Sequence, residues 1–291
     1  MKKKKTIIMV RVNEYTSRNL NSNIPFTPDE IAETAKECEK AGASIIHFHA
    51  RKNNGDPCHD PDVYLEIVSK IREKCNLIID STLGQITVKN TEERTSHIRK
   101  MKDKPFKRTD MAALDVGSTN IDTYDFERKK FLSTDKTYHN SIETCLSLVN
   151  DMDNAGVKPH LTCWTIPFLR TADALIDMGV IKEPAYVQLA FCEGGILGGH
   201  PCTIDGALSF VRMMPKKHIE WTVTCKGGNL LPAAAVALEY GGHLSPGIGD
   251  YSYPELEFPN NSKLVEFFAN LSRSYGRDVA NVDEARLMLG L

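Results

Sequence analysis

The stretch Ile45-Ile46-His47-Phe48-His49-Ala50 decides the fold prediction, because an apolar run ends there in two histidines one residue apart. In a β-strand, residues i and i+2 point to the same face, so His47 and His49 are expected to lie side by side. Two neutral imidazoles can share one metal ion, and zinc is the first choice because a catalytic zinc takes three protein ligands and keeps one position open. The alternative is a pair of strand histidines that only make hydrogen bonds. A polar, turn-rich loop at 51–57 follows, which places the pair at the exit end of the strand, where α/β proteins carry their chemistry.

Short apolar runs alternate with helical patterns along the whole chain. Eight runs predict β-strands, each followed by a predicted helix, and they span 6–12, 44–50, 77–82, 111–116, 158–164, 186–191, 220–225 and 243–248. This pattern predicts an α/β fold, a (β/α)8 TIM barrel forming a single domain over residues 1–291. We expect a flexible basic start at 1–5 and a C-terminal extension at 276–291 that packs on the barrel. The alternative is a doubly wound open sheet, which normally carries Gly-x-Gly-x-x-Gly after its first strand, unlike Val12-Asn13-Glu14-Tyr15 here.

Composition limits the functional classes. The chain has 291 residues and a formal net charge of −2, so its overall charge does not favour nucleic acid as a partner. No apolar segment of the signal-peptide type follows the N-terminal lysines, and no uncharged apolar stretch is long enough to span a bilayer, so we expect a cytoplasmic protein. The eight cysteines form no Cys-x-x-Cys pair and are expected to be reduced thiols.

Polar residues concentrate where the predicted strands end. Because the carboxyl ends of all eight barrel strands meet at one mouth, these side chains are expected to form a small-molecule site. The residues at the exits are Asn13, Glu14, His47, His49, Ser81, Thr82, Asp115, Glu193, Gly194, Gly195, Lys226 and Asp250, with His160, Thr162 and Trp164 on one face of the fifth strand. The glycines allow backbone to approach a ligand closely.

Several motifs, in a fixed order, resemble one known enzyme family. They are Thr27-Pro28-Asp29-Glu30-Ile31-Ala32, the segment 41–51 around the two histidines, Gly55-Asp56-Pro57, Ser81-Thr82, Gly241-Gly242-His243 and the C-terminal segment 275–291. Each motif is short. Their order and spacing along nearly the whole chain are similar to those of the β-keto acid cleavage enzymes, whose named member cleaves 3-keto-5-aminohexanoate.

The resemblance implies a TIM barrel, a divalent metal that is usually zinc, and a homotetramer. It also implies a reaction between a β-keto acid and acetyl-CoA that yields acetoacetate and a new CoA thioester, which is transferase or lyase chemistry. By the same resemblance, His47 and His49 hold the metal, Asp250 is the catalytic base, and Glu14 helps to hold the substrate. Further substrate contacts are expected at the strand exits, from Asn13, Ser81, Thr82, Gly194 and Gly195.

The chain departs from the implied pattern near its last strand. The family carries an arginine two residues after Gly-Gly-His and a glutamate just before the catalytic aspartate, but here those positions hold Ser245 and Gly249. In the family, the arginine orients the aspartate and the glutamate is the third metal ligand. Asp250 is therefore expected to lack a cationic neighbour, which would raise its pKa. On the fifth strand, His160 and Thr162 stand near positions where the family has glutamates.

Three accounts of this altered site stay open. In the first, another group replaces the third ligand, with Glu193, His160 and Asp250 as the candidates. In the second, the two histidines hold a weakly bound metal alone, and in the third, the barrel binds a ligand without the family reaction. A zinc-dependent barrel hydrolase is a further alternative, for which His160 and His243 are the additional histidines. The working hypothesis is the metal-dependent reaction of a β-keto acid with acetyl-CoA.

Overall fold

Eight parallel strands form the centre of the molecule. The computed structural model describes residues 3–14, 16–84, 88 and 90–291. The barrel strands are β1 (Met9–Arg11), β2 (Ile45–Phe48), β3 (Ile78–Thr82), β4 (Met111–Asp115), β5 (Lys158–Cys163), β6 (Ala185–Cys192), β7 (Ile219–Lys226) and β8 (His243–Leu244). They pair in chain order in one eight-stranded sheet. The predicted single-domain TIM barrel is confirmed.

The barrel closes between its last and first strands. Ile8 and Leu244 form a parallel bridge. Beyond β8, Arg11 N donates to Pro246 O at 2.9 Å and Gly249 N donates to Arg11 O at 3.2 Å. The last strand is shorter than the predicted 243–248, because Pro246 has no N–H to contribute to a ladder. The chain from 246 to 249 nevertheless stays against β1.

Helices surround the sheet. They are α1 (Pro28–Ala41), α2 (Pro61–Lys74), α3 (Thr91–Arg94), α4 (Ser96–Met101), α5 (Ile142–Asn154), α6 (Ile166–Asp177), α7 (Ile204–Arg212), α8 (Leu231–Tyr240), α9 (Asn261–Ser274) and α10 (Val282–Leu289). The predicted helix start at Thr27 is confirmed, because its side chain and that of Glu30 form a capping box. The helical stretch predicted at 91–101 is divided at Thr95 into two short helices.

Alternation along the strands separates two parts of the core. Ile46 and Phe48 of β2 pack outward with Ile31 of α1 and Ile67 of α2. Residues of the opposite phase fill the amino-terminal half of the barrel interior, and this apolar layer contains Ile7, Met9, Ile45, Ile78, Met111 and Tyr186, together with Ala285 and Leu289 of α10. The amino-terminal half of the interior is therefore closed to ligands, and polar side chains occupy the carboxyl-terminal half, which we call the mouth.

Two loops pack against each other at the mouth. The connection after β4 contains two small antiparallel pairs, Thr119–Asn120 with Thr137–Tyr138 and Tyr124–Asp125 with Lys130–Phe131. Tyr124 N donates to Gly195 O at 2.8 Å, which joins this connection to the loop after β6. Gly195 has φ +88°, and a Cβ there would lie 2.2 Å from Tyr124 O, so only glycine allows the two backbones to come this close.

Residues from both ends of the chain meet at the amino-terminal face. Met1 and Lys2 of the predicted flexible start lie outside the described residues, whereas Lys4 pairs with Glu220 and Lys5 with Glu284. The division of the ends at 1–5 and 276–291 stays a prediction. In the part of the chain that the structure describes, no helix has the length and apolar character needed to cross a lipid bilayer.

The Arg277 side chain should stabilise this face, because it joins several separate segments of main chain. Only 2% of its surface is exposed, and its guanidinium donates to four main-chain carbonyls: Lys4 O at 2.9 Å, Lys5 O at 3.3 Å, Ala237 O at 3.3 Å and Leu238 O at 3.1 Å. Replacing it with leucine leaves buried carbonyls without donors, so R277L should lower the free energy of unfolding by about 3 kcal/mol. Urea unfolding measures this. R212L, at an exposed position on α7, should change stability by less than about 0.5 kcal/mol, and an equally small effect of R277L would contradict the assignment.

Candidate active site

Two histidines and one glutamate meet at the mouth. His47 lies on β2 and His49 just beyond its end, and their ring centroids are 5.2 Å apart. The carboxylate of Glu14 faces both rings: Oε1 lies 3.3 Å from His47 Nε2, and Oε2 lies 2.6 Å from His49 Nε2. All three residues are buried, and their candidate ligand atoms lie within 4.8 Å of one another. Three buried N and O donors of this type suit a divalent transition metal.

The Asp80 carboxylate forms hydrogen bonds with two inward-facing histidines, His47 and His160. Its Oδ2 is 2.7 Å from His47 Nδ1 and 3.0 Å from His160 Nδ1. An ionised carboxylate can only accept hydrogen bonds, so His47 Nδ1 donates to Asp80, and the other ring nitrogen, Nε2, faces Glu14. A carboxylate behind an imidazole fixes the ring orientation in the same way as it does for metal-binding histidines.

The charge states of the group suit metal binding. Burial raises the pKa of Glu14, but the Arg11 guanidinium, followed by His49 and His47, outweighs burial and holds this pKa well below its usual range. Burial lowers the pKa of His49 to about 4, although Glu14 opposes the change. At neutral pH, Glu14 is therefore ionised and His49 is neutral, the forms in which both side chains bind metals.

The backbone brings Glu14 to the histidines through a close contact with Gly249. Glu14 itself has φ +26°, a conformation that non-glycine residues rarely adopt. A Cβ on Gly249 would lie 2.7 Å from both Asn13 N and Glu14 N, so a side chain at 249 would push this segment away. The Asn13 amide fixes the other side, because its Oδ1 accepts from His49 N and its Nδ2 donates to His49 O, both at 2.9 Å.

Arg11 connects the group formed by Glu14, His47 and His49 to Asp250. Its Nη2 lies 2.7 Å from Glu14 Oε1, its Nε donates to Asp250 Oδ2 at 2.7 Å, and its Nη1 donates to Gln188 Oε1 at 3.2 Å. The expectation that Asp250 lacks a cationic neighbour is therefore wrong. The resemblance implies this cation near the last strand, whereas the structure supplies it from β1, where Arg11 has the same phase as the inward-facing Met9.

Asp250 has two further polar neighbours. Thr224 Oγ1 donates to Asp250 Oδ2 at 3.0 Å, so this oxygen accepts from both Arg11 and Thr224. The other oxygen, Oδ1, lies 3.8 Å from the ammonium of Lys226 at the end of β7. The carboxylate therefore has one fully engaged oxygen and one oxygen that faces a partly exposed cation.

Other residues predicted for the site make different contacts. Glu193 Oε1 accepts from Cys202 N at 2.8 Å, and His160 bonds Asp80. In the described part of the chain, the possible metal-binding group contains Glu14 and none of the three candidates, Glu193, His160 and Asp250. Ser81 Oγ lies 3.1 Å from His97 Nε2 of α4, outside the barrel wall. Thr82 Oγ1 accepts from Gly84 N at 3.3 Å. Gly194, with φ +63°, packs against Gly227 O.

A further carboxylate, that of Asp115, lies at the exit of β4. Trp164 Nε1 donates to Asp115 Oδ1 at 2.6 Å and Tyr138 OH donates to Oδ2 at 2.5 Å. Burial raises the pKa of Asp115, although these two hydrogen bonds oppose the change. This carboxylate connects the strand exits to the loop pair above them, so it contributes to the wall of the mouth.

Comparisons with known proteins identify the family to which this chain is similar. A family model described as beta-keto acid cleavage enzyme matches residues 5–291. A 3-keto-5-aminohexanoate cleavage enzyme from Acetoanaerobium sticklandii is 30% identical over 274 residues, covering 93% of this chain and 92% of the relative. A 3,5-dioxohexanoate:acetyl-CoA acetone transferase from Paraburkholderia graminis is 26% identical over 288 residues, covering 94% of this chain and 91% of the relative.

Several solved structures are similar in fold, and one of them illustrates the likeness. It is described as a ternary complex of ObcA with a C4-CoA adduct and oxalate, and it superposes with a TM-score of 0.70 at 13% identity. The match covers 92% of this chain and 68% of that chain.

The Asp80 contacts predict a specific dependence of stability on pH. Burial raises the pKa of Asp80, but His160 and His47 outweigh burial and hold it well below its usual range. Because the pKa of this carboxyl is lower in the folded than in the unfolded protein, its ionised form stabilises the fold at pH values above the unfolded-state pKa of about 4. This stabilisation is lost as the pH falls from there toward the folded-state pKa. D80N should be about 2 kcal/mol less stable at pH 7, and wild type should lose stability more steeply than D80N between about pH 5 and pH 2.

Urea unfolding at a series of pH values tests this prediction. D205N, at an exposed position in the first turn of α7, is the matched control and should follow the wild-type curve. Parallel pH curves for wild type and D80N would contradict a depressed pKa at Asp80.

Proposed function

The chain belongs to the beta-keto acid cleavage enzyme family, and from this premise we propose that it condenses a β-keto acid with acetyl-CoA to give acetoacetate and a new acyl-CoA. Relatives named for reactions with acetyl-CoA support the acyl-transfer part of the proposal. The observation that carries it is the juxtaposition of the Glu14, His47 and His49 group with an Asp250 carboxylate held by Arg11.

We propose that Glu14, His47 and His49 hold the divalent metal, with zinc as its identity. The fit rests on the donor atoms, on the Asp80 carboxylate behind His47, and on the neutral state of His49. When bound, such a metal supplies Lewis-acid polarisation of the keto acid's oxygens. This assignment makes Glu14 the third ligand in place of Glu193 or His160.

Asp250 is the proposed base. It removes a proton from the carbon between the ketone and the carboxylate of the substrate, and Oδ1 is the accepting oxygen because Arg11 and Thr224 already bond Oδ2. Arg11 positions this carboxylate and offsets the charge of two neighbouring carboxylates. In the proposed reaction, the enolate carbon then attacks the thioester carbonyl of acetyl-CoA, and the CoA thiolate leaves. This thiolate attacks the ketone of the original acid, and cleavage of the bond between that carbonyl carbon and the carbon that lost the proton releases the new acyl-CoA. The remaining acetoacetate enolate takes a proton back to give acetoacetate.

The proposed substrate contacts come from Thr82 and from the Gly194 and Gly195 backbone at the exits of β3 and β6. Asn13 acts in the proposal as a positioning residue, because its side chain bonds the His49 backbone. Ser81 contacts the His97 ring outside the barrel wall, so its predicted substrate contact is not part of the proposal. The homotetramer rests on the family resemblance, and the cytoplasmic location rests on the sequence alone.

The hydrolase alternative has less support from the histidines that it needs. His160 Nδ1 bonds Asp80. At the amino-terminal face, His243 Nδ1 accepts from Ile7 N at 3.0 Å and its Nε2 lies 2.7 Å from Glu220 Oε2. Neither ring joins the Glu14, His47 and His49 group within the described residues.

Turnover tests the proposed reaction directly. Wild type incubated with acetyl-CoA and a panel of β-keto acids should form acetoacetate and a matching acyl-CoA, detected by mass spectrometry. D250N removes the base, and its kcat should fall by about 10³-fold. D283N, at an exposed position on α10, should retain wild-type turnover. Full activity in D250N would refute the assigned base, and the absence of acyl exchange with every acid would refute the reaction.

Metal content tests the proposed ligands. Wild type purified without an affinity tag should carry about one zinc per chain, and E14Q and H49A should lose it, as measured by plasma mass spectrometry. G249A should also lose metal without removing a ligand, because the added Cβ displaces the Glu14 backbone.

The matched control for G249A is G241A. Gly241 has φ +84°, and a Cβ there meets nothing within 4 Å, so backbone strain should lower the stability of this variant without loss of metal. Full metal retention in both E14Q and G249A would assign the third ligand elsewhere.

A further inference from the structure

Two cations near the Asp250 carboxylate, Arg11 and Lys226, differ in how tightly they are held. Arg11 is 8% exposed, and all three of its donor groups bond Glu14, Asp250 or Gln188. The side chain of Lys226 is 34% exposed, and the carboxylate oxygen nearest its ammonium in the described structure is Asp250 Oδ1 at 3.8 Å. Lys226 can therefore bind an incoming anion, whereas Arg11 would first have to release a buried carboxylate.

Strand alternation directs Lys226 to the mouth. Thr224, two residues earlier on β7, donates to the Asp250 carboxylate, which shows that this phase of the strand faces inward. Lys226 is the last residue of β7 and pairs in register with Cys192, the last residue of β6. Its side chain therefore lies at the exit level, above the polar residues of the interior.

The chemistry of a β-keto acid matches this position. Its carboxylate is attached directly to the carbon that loses a proton, so the two groups are one bond apart. If the C–H proton passes to Asp250 Oδ1 and the electron pair stays in the enolate, the carboxylate comes within reach of the cation that lies 3.8 Å from the same oxygen. A cation there also offsets the negative charge that develops as the proton leaves.

We propose that Lys226 binds the carboxylate of the β-keto acid and makes the site selective for acids over neutral β-keto esters. This inference rests on the proposed function, since it takes the substrate class from it. It assigns to the end of β7 a specificity-determining residue that adjoins the proposed base and lies on a different strand from the two histidines.

Calorimetric titration tests the assignment without requiring turnover. The probes are acetoacetate, its neutral methyl ester and CoA, each titrated into wild type, K226M and K226R. Loss of one charge-assisted contact should weaken acetoacetate binding to K226M by about tenfold or more, because hydrogen bonds to charged groups are among the strong ones. Binding of methyl acetoacetate and of CoA should be unchanged, and K226R should retain most of the acetoacetate affinity.

K40M, in the exposed last turn of α1, is the matched control and should bind all three probes as wild type does. The assignment is overturned if wild type does not bind acetoacetate, if K226M weakens acid and ester equally, or if only CoA binding is weakened, which would make Lys226 a phosphate contact.

Parallel turnover assays separate this inference from the reaction itself. Acyl exchange with an unchanged acetoacetate affinity in K226M would leave the reaction standing and refute the role of Lys226. The predicted affinity pattern without acyl exchange would support the role of Lys226 and refute the reaction.

Discussion

The guanidinium of Arg11 is the group on which the mouth of the barrel depends. Two buried carboxylates, those of Glu14 and Asp250, each have an oxygen 2.7 Å from one of its nitrogens. Buried charges are costly unless they are paired and hydrogen-bonded, and two like charges in one pocket also repel each other. A planar cation with several donors can hold both at fixed angles, which a lysine ammonium cannot do in the same way. The two halves of the proposed chemistry therefore share one positioning residue.

Closure of the barrel places charged groups of β1 beside the segment where the chain departs from the pattern that the resemblance implies. The two positions in question, Ser245 and Gly249, follow the last strand, and this segment packs against β1. Arg11 on β1 provides a positive charge next to Asp250, as the implied arginine would. Glu14, just after β1, provides a carboxylate next to the two histidines, as the implied glutamate would. The small size of Gly249 is part of this arrangement, because a side chain there would exclude the Glu14 backbone.

The amino-terminal half of the barrel interior supports the mouth from below. The apolar layer that includes Met9, Ile45 and Met111 excludes water beneath the polar residues. Asp80 stands above it with 0% exposure and fixes the imidazole of His47 from behind. The same two-residue alternation produces both halves, because aliphatic residues occupy the early inward positions of several strands and polar residues the late ones. Ligand geometry thus depends on a packed core and not on mobile loops.

The sequence by itself determined the eight-strand pattern, the capping box at Thr27 and the pairing of His47 with His49, because each depends on residues close in the chain. It did not predict which carboxylate meets the histidines or which cation holds Asp250. Arg11 and Asp250 are separated by 239 positions and become neighbours only when the last strand closes against the first. The approach of Glu14 depends on its φ of +26° and on the space left at Gly249. Local patterns therefore specify the elements, whereas closure of the barrel decides which charges share the mouth.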